Sequence, residues 1–348
     1  MVWIMSLVGL VILLLSGDLL VRGAVNLSLR LGVPALIVSL TIVAFGTSAP
    51  ELLIAISAVD DGASGIAIGN VIGSNIANVL LVLGMPALLS TLDFSECDTR
   101  RDFYIMLGAT VVFIALAATG QFGWWQGAIL LIMLAGFLGS AVWRAKCQTG
   151  ASSTEDDLEG LDPELPMWKV LGFLLLGLIG LPMGADILVD NAVYIARTYG
   201  ISEEVIGLTL IAIGTSLPEL ATTVMAGLRN QAEVALGNAI GSNIFNLLGI
   251  IGVTTLFDKI YVSSSFFALD IWVMLTSALV LIPFVFLKWR MSRPIGALFL
   301  GPTRYILHLL CRTGGKHAGI NHGWCKTTGR RNVALSCQAW LRCCCSLP

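Results

Sequence analysis

The sequence predicts an all-α integral membrane protein of about ten transmembrane helices, arranged as two five-helix repeats of inverted topology. Three observations predict it. Of the 348 residues, 56% are hydrophobic and only 12% charged, against ~25% charged in a soluble domain. Mean hydropathy is +0.87, and apolar stretches recur at close to the ~20 residues that cross a bilayer. Two polar motifs recur at a fixed spacing, with an odd number of spans between them.

Helical spans are expected at about 2–27, 33–58, 65–90, 103–119 and 123–143, which make residues 1–143 the first repeat. A second set is expected at about 167–196, 201–227, 232–256, 266–288 and 294–311, within 167–312. Residues 144–166 join the two sets and hold the run Ser152-Ser153-Thr154-Glu155-Asp156-Asp157, so they read as a polar, acidic linker. The opening Met1-Val2-Trp3-Ile4 lacks the basic region of a secretory signal, so residues 2–15 read as part of a retained first span. Residues 313–348 carry no apolar span; their His317, His322, Cys325 and Cys337 show no C-x-x-C spacing of a zinc site, and no role is inferred for this tail.

Composition also narrows the partners. No basic stripe suggests nucleic acid. Six of the eight cysteines lie beyond residue 310, and Cys97 and Cys147 fall in polar connections, unlike a disulfide-stapled ectodomain. With the N-terminus placed outside, the inner connections hold Arg22, Arg30, Arg100, Arg101, Arg144, Lys146, Lys169, Arg229, Lys288, Arg290 and Arg293. The outer ones hold only Arg197 and Lys259. Basic residues concentrate on the cytoplasmic side, which orients the chain in a cell membrane with lipid as its surroundings.

The repeat is explicit. A displacement of 168 residues lays Gly46-Thr47-Ser48-Ala49-Pro50-Glu51-Leu52 on Gly214-Thr215-Ser216-Leu217-Pro218-Glu219-Leu220. Without a gap it also lays Gly69-Asn70 on Gly237-Asn238, Gly73-Ser74-Asn75-Ile76 on Gly241-Ser242-Asn243-Ile244, Asn78 on Asn246 and Asp18 on Asp186. Five spans separate the copies, so the second enters the membrane from the opposite side. Inverted repeats of this kind place a transport site near the bilayer midplane.

A glutamate inside a span is expensive and marks a functional site; here there are two, Glu51 and Glu219, in matched motifs. On a helix Thr47 and Ser48 share a face with Glu51, as Thr215 and Ser216 do with Glu219. Pro50 pushes against the carbonyl of Gly46, and glycine tolerates unusual dihedrals, so each motif span is expected to unwind there and expose carbonyl oxygens. Ser74 and Asn78 are spaced i, i+4, as are Ser242 and Asn246, and Gly69, Gly73, Gly237 and Gly241 allow close helix approach. All three histidines lie at 308 or later, so the donor set is hard oxygen, suited to Ca²⁺, Mg²⁺ or Na⁺. Asp18 and Asp186 lie outside the motifs and are expected to be structural.

The twin motifs resemble the paired alpha repeats of the sodium/calcium exchangers, in the cation/calcium antiporter superfamily, over about residues 1–311. The resemblance implies a ten-helix inverted-repeat fold and alternating-access exchange of calcium for sodium, which are cargo; no resident cofactor is implied. By matching motif positions it implies as ligands the Ala44 carbonyl, Thr47, Ser48, Glu51, Ser74 and Asn78. In the second repeat the corresponding set is the Ala212 carbonyl, Thr215, Ser216, Glu219, Ser242 and Asn246. Some members carry aspartate where this chain has Asn246, which bears on ion stoichiometry and potassium dependence.

A calcium/proton antiporter on the same scaffold is the main rival, because neighbouring carboxylates favour protonation. A cation channel fits less well, since channels build selectivity from rings about a pore. No hydrolytic constellation points to an enzyme. The orientation makes a direct prediction: Ser153→Cys, in a background without the native cysteines, resists an impermeant thiol reagent in intact cells and reacts after lysis. Labelling from outside would overturn the topology.

Overall fold

The computed structural model describes residues 2–95, 97, 99–147, 165–198 and 214–301, and it is almost entirely helical. In the first repeat α1 is Val2–Leu31, α2 Ala35–Thr47, α3 Ala49–Asp60, α4 Ser64–Leu89, α5 Arg100–Ala117 and α6 Trp124–Cys147. In the second, α7 is Met167–Thr198, α8 Leu217–Leu228, α9 Ala232–Thr254, α10 Asp270–Phe286, and α11 begins at 293. Among the described residues five helices are long and apolar enough to cross a membrane singly, and α2 with α3 makes a sixth, bent by 42° at Ser48. Residues 148–164 of the expected linker, residues 201–213 of the span 201–227, and the tail lie outside the described residues.

Burial sorts the helices by environment. α9 is wholly buried across its apolar window and α4 nearly so, whereas α1, α6 and α7 leave most of theirs exposed. Exposed Leu7, Leu14, Leu15, Ile132, Leu176 and Ile179 therefore face lipid from the outer helices. Exposed Trp3, Trp124, Trp143, Trp168 and Trp272 stand near helix ends, where an indole meets the headgroup layer.

Three apolar clusters form among the described residues: a small one of Val21, Val25, Ala226, Val234 and Ala235, and two more extensive ones. The larger runs through α2–α6 and α9–α11, with Phe94, Phe103, Phe113 and Phe122 fully enclosed. The smaller joins α1 to α7 and reaches α2 and α8, through Leu13, Leu20, Leu174, Leu181, Val43 and Ala221. α1 and α7 touch at backbone distance: a Cβ on Gly184 would lie 2.7 Å from Leu13 N, and one on Gly9 2.7 Å from Leu188 N. Small residues let helices pack this closely where no hydrophobic force separates protein from lipid.

The 168-residue displacement reappears in the backbone. Left-handed φ occurs at Gly62 (73°) and Gly120 (85°), and 168 residues later at Asn230 (56°) and Lys288 (56°). Both repeats thus need the same two reversals, and glycine supplies them freely only in the first. π-helical turns recur at Asn78–Val82 and Phe245–Ile250. β1 (Gln121–Phe122) pairs antiparallel with β2 (Ile260–Tyr261), matching Phe122 to Ile260; Leu92, the repeat mate of Ile260, forms an isolated antiparallel bridge with Met291. Each pairing ties one repeat to the other, at opposite ends of the bundle.

Ion pairs hold the helix ends. Arg144 donates to both oxygens of fully buried Asp102 at 3.0 and 2.6 Å, clamping α6 to α5. Asp18 pairs with Arg22 at 3.0 Å and with Arg229, at the end of α8, which gives it the structural role expected of it.

The αL positions yield a paired prediction. Nothing would crowd a Cβ at either Gly120 or Gly108, but only Gly120 has positive φ. Gly120→Ala is expected to cost about 1–2 kcal/mol, whereas Gly108→Ala, inside α5, is neutral or stabilising by up to about 1 kcal/mol. Thermal unfolding of the detergent-purified variants checks this: equal shifts would mean that φ is not the constraint.

Candidate functional site

The site begins at a helix break. α2 ends at Thr47, Ser48 takes φ −85° and ψ 2°, and α3 restarts with Pro50 in its first two positions and Glu51 in its first turn. The second repeat does the same: Ser216 has φ −96° and ψ 7°, and α8 restarts with Pro218 and Glu219. Proline is preorganised for a helix start, where its missing N–H costs nothing. A carboxylate in that first turn faces the positive end of the helix dipole.

Here the structure corrects one expectation. The break falls at Ser48, with Gly46 still helical, because Pro50 begins the new helix instead of rupturing an old one. Gly46 serves close approach to Leu178 of α7. The Ala44 carbonyl accepts the Ser48 N–H at 3.1 Å and the Thr47 hydroxyl at 3.3 Å, so it faces the break already engaged. Ala212 lies outside the described residues.

Ser48 and Ser216 occupy N-cap positions, yet neither side chain caps its helix. Ser48 Oγ instead donates across the repeat interface to Glu219 Oε1 at 3.3 Å. Thr47 also interacts with the Glu219 carboxylate, and Glu51 and Glu219 lie within Coulombic range of each other. Both glutamates are 1% exposed. Glu51 Oε2 and Glu219 Oε2 have no hydrogen-bond partner among the described residues.

α9 brings in the rest. A Cβ on Gly241 would lie 2.6 Å from Leu40 O, and one on Gly237 3.1 Å from Leu36 O, so α9 crosses α2 backbone to backbone. The Ser39 hydroxyl closes this crossing by donating to Val234 O at 2.7 Å. Among the described residues nothing lies within 4 Å of a Cβ placed on Gly73. Ser242 Oγ, Asn78 Oδ1 and both amide atoms of Asn246 are buried without partners among the described residues. Ser74 and Ser216 are buried beside them in sequence, and Thr215 stands at the second break.

Two asparagines that were not among the candidate ligands join this network. Asn238 accepts from Thr47 Oγ1 at 3.4 Å and donates to Thr223 Oγ1 at 3.0 Å and to the Glu219 carbonyl at 3.4 Å. Asn243 accepts from Asn78 Nδ2 at 3.1 Å. The signal for both was present in the repeat, where they coincide with Asn70 and Asn75.

Buried polar atoms without partners are costly, and buried carboxylates more so. The unpartnered oxygens here are hard donors contributed by both repeats, and among the described residues no cluster of three or more His, Cys, Asp or Glu occurs. Two carboxylates with amide and hydroxyl oxygens fit a hard cation.

An all-helical membrane protein whose inverted repeats meet at buried acids defines the class of secondary transporters. Within it, the family description "sodium/calcium exchanger protein" matches residues 1–143 and 169–313, and the chain belongs to that family. It is 38% identical to a putative antiporter, CaxA, of Alkalimonas amylolytica, over 80% of this chain and 88% of the relative. It is 32% identical to the sodium/calcium exchanger MaX1 of Methanosarcina acetivorans, over 86% and 95% respectively. The solved structure of the sodium-calcium exchanger NCX_Mj soaked with Na⁺ and Sr²⁺ superposes with a TM-score of 0.73 at 33% identity, covering 88% of this chain and 96% of that one. The chain is thus a membrane antiporter of the cation/calcium class, from a transporter family.

The orphaned carboxylates generate a prediction. Glu51→Gln removes a buried charge, so the ion-free variant is expected to melt at or above the temperature of the unmodified protein, while losing the stabilisation that calcium adds. A thermal-shift titration reads both. Unchanged calcium stabilisation would remove Glu51 from the site.

Proposed function

We propose that the protein exchanges calcium for sodium by alternating access, at a site built from Glu51, Glu219 and the oxygens of Thr47, Ser48, Ser74, Asn78, Thr215, Ser216, Ser242 and Asn246. The carbonyls of Ala44 and Ala212 complete this proposed set. The observation that carries the reading is the pair of enclosed glutamates with unpartnered oxygens, together with the buried and unpartnered Asn78 Oδ1, Ser242 Oγ and Asn246 Oδ1. A formal charge of −2 balances one Ca²⁺, and Ca²⁺ accepts 6–8 oxygens in flexible cages. The neutral oxygens of Thr47 and Ser48 beside the acids suit sodium, which needs ligands that a proton does not. MaX1 and NCX_Mj are both described as sodium–calcium exchangers, which supports carrying the same ion pair to this chain.

Mechanistically, the two acids exchange one load for the other. Each acid sits at a half-helix start, so small rotations of the half-helices open the acids toward one face or the other. No resident cofactor is needed, because the ions are the cargo. The basic side, with residues 144–166, is assigned to the cytoplasm and the N-terminus to the outside.

The test is ⁴⁵Ca uptake into proteoliposomes under an outward sodium gradient. Uptake is expected to follow sodium and to respond to an imposed potential, worth about 2.3 kcal/mol per elementary charge per 100 mV if several sodium ions replace one calcium. Glu51→Gln and Glu219→Gln are each expected to abolish uptake with expression intact. Flux driven by a pH gradient alone, with nothing added by sodium, would move the assignment to calcium/proton exchange; flux with no counter-ion would mean a channel.

A further inference from the structure

Asn243 lies beside Ser242 on α9 and is not among the proposed ligands, yet it governs one of them. Its Oδ1 accepts from Asn78 Nδ2 at 3.1 Å, and its own Nδ2 lies 3.7 Å from Met106 Sδ on α5. An asparagine amide presents an oxygen on one arm and an NH₂ on the other, and only the oxygen can bind a cation. With its NH₂ committed to Asn243, Asn78 is left with Oδ1 as its unpartnered buried atom among the described residues. The sulfur sets Asn243 in the same way. A thioether accepts weakly and cannot donate, so it takes the Asn243 NH₂ and leaves the oxygen for Asn78. Met106, Asn243 and Asn78 thus form a directed chain from one repeat to the other and back.

The same three residue types recur 168 positions away, as Met274, Asn75 and Asn246. There the chain is open. Asn75 Nδ2 turns back to its own helix and donates to Val71 O at 2.7 Å. Asn246 keeps both amide atoms buried without partners among the described residues, and Met274 is buried on α10. Identical residues therefore adopt two arrangements in one molecule. The arrangement on each side is available to the other when inverted repeats exchange conformations.

We propose that Asn243 is a positioning residue that makes Asn78 an oxygen ligand in the conformation described here, and that Asn75 does the same for Asn246 in the oppositely facing conformation. The assignment rests on the proposed calcium site, and it adds residues that act through a ligand without touching the ion. It also makes the amide set state-dependent: one asparagine is fixed oxygen-first while its mate is released.

Equilibrium ⁴⁵Ca binding to the purified full-length protein tests this as a double-mutant cycle. Asn243→Leu, similar in volume but without the acceptor, is expected to weaken calcium binding about tenfold. In an Asn78→Asp background the same change is expected to cost less than about twofold, because a carboxylate has oxygen on both arms. Equal losses in the two backgrounds would reduce Asn243 to a packing residue. Met106→Leu preserves volume and keeps the test decisive should Asn243→Leu fail to fold: a loss that disappears in Asn78→Asp supports the directed chain, and no loss overturns it. Sidedness is read as the calcium KM at each face of oriented vesicles, whose ratio is expected to move in opposite directions in Asn243→Leu and Asn75→Leu. Movement in the same direction would reject the exchange of roles. An unmodified protein that binds no calcium would instead sink the proposed site itself.

Discussion

Two carboxylates enclosed at the starts of two half-helices are the constraint from which the surrounding architecture follows. Desolvating a carboxylate costs several kcal/mol even after relaxation, and Glu51 and Glu219 are both enclosed beside each other. Backbone geometry offsets part of that. Each acid sits in the first turn of a helix that restarts at a proline, with free N–H groups and the positive dipole end close by. The serine that would ordinarily cap each start makes no capping bond, and Ser48 reaches Glu219 of the opposite repeat. A local capping contact has been exchanged for a contact that joins the halves.

That exchange requires close helices, which explains where the small residues lie. Gly237 and Gly241 let α9 meet the backbone of α2, which brings Asn238 to Thr47 and to the Glu219 carbonyl. The glycines between α1 and α7 let those two helices pair and carry a cluster of their own. Packing in lipid rests on such contacts rather than on hydrophobic expulsion, so a polar interior with backbone-close crossings is compatible with an apolar exterior. The Asp102–Arg144 pair joins α5 to α6, and the Asp18–Arg229 pair joins α1 to the end of α8.

The repeats are alike in backbone and unlike in detail, which is what a transporter caught in one conformation requires. The αL reversals, π turns and cross-repeat strand contacts recur with the same displacement. The amides do not: Asn243 reaches across to Asn78 while Asn75 folds back on Val71. The two halves share a backbone pattern and differ in how their matched asparagines are bonded.

Much of this was legible in the linear chain. Membrane class followed from apolar length, since ~20 residues cross a bilayer whatever they pack against. The site followed from the repeat, because two glutamates in matched polar motifs have no reason to survive in lipid without a function. Serine and asparagine spacing placed Ser74 with Asn78 and Ser242 with Asn246 because helical periodicity is local. What tertiary structure alone decided is non-local. Sequence predicted a local unwinding in the Gly46–Pro50 stretch, and the structure places it at Ser48, where Pro50 begins a new helix. Sequence could mark Asn238 and Asn243 as repeated, but only the packing of α9 against α2 and α4 sets one against Thr47 and the other against Asn78. Which arm of the Asn78 amide is engaged depends on a partner 165 residues away, and no local rule encodes that distance.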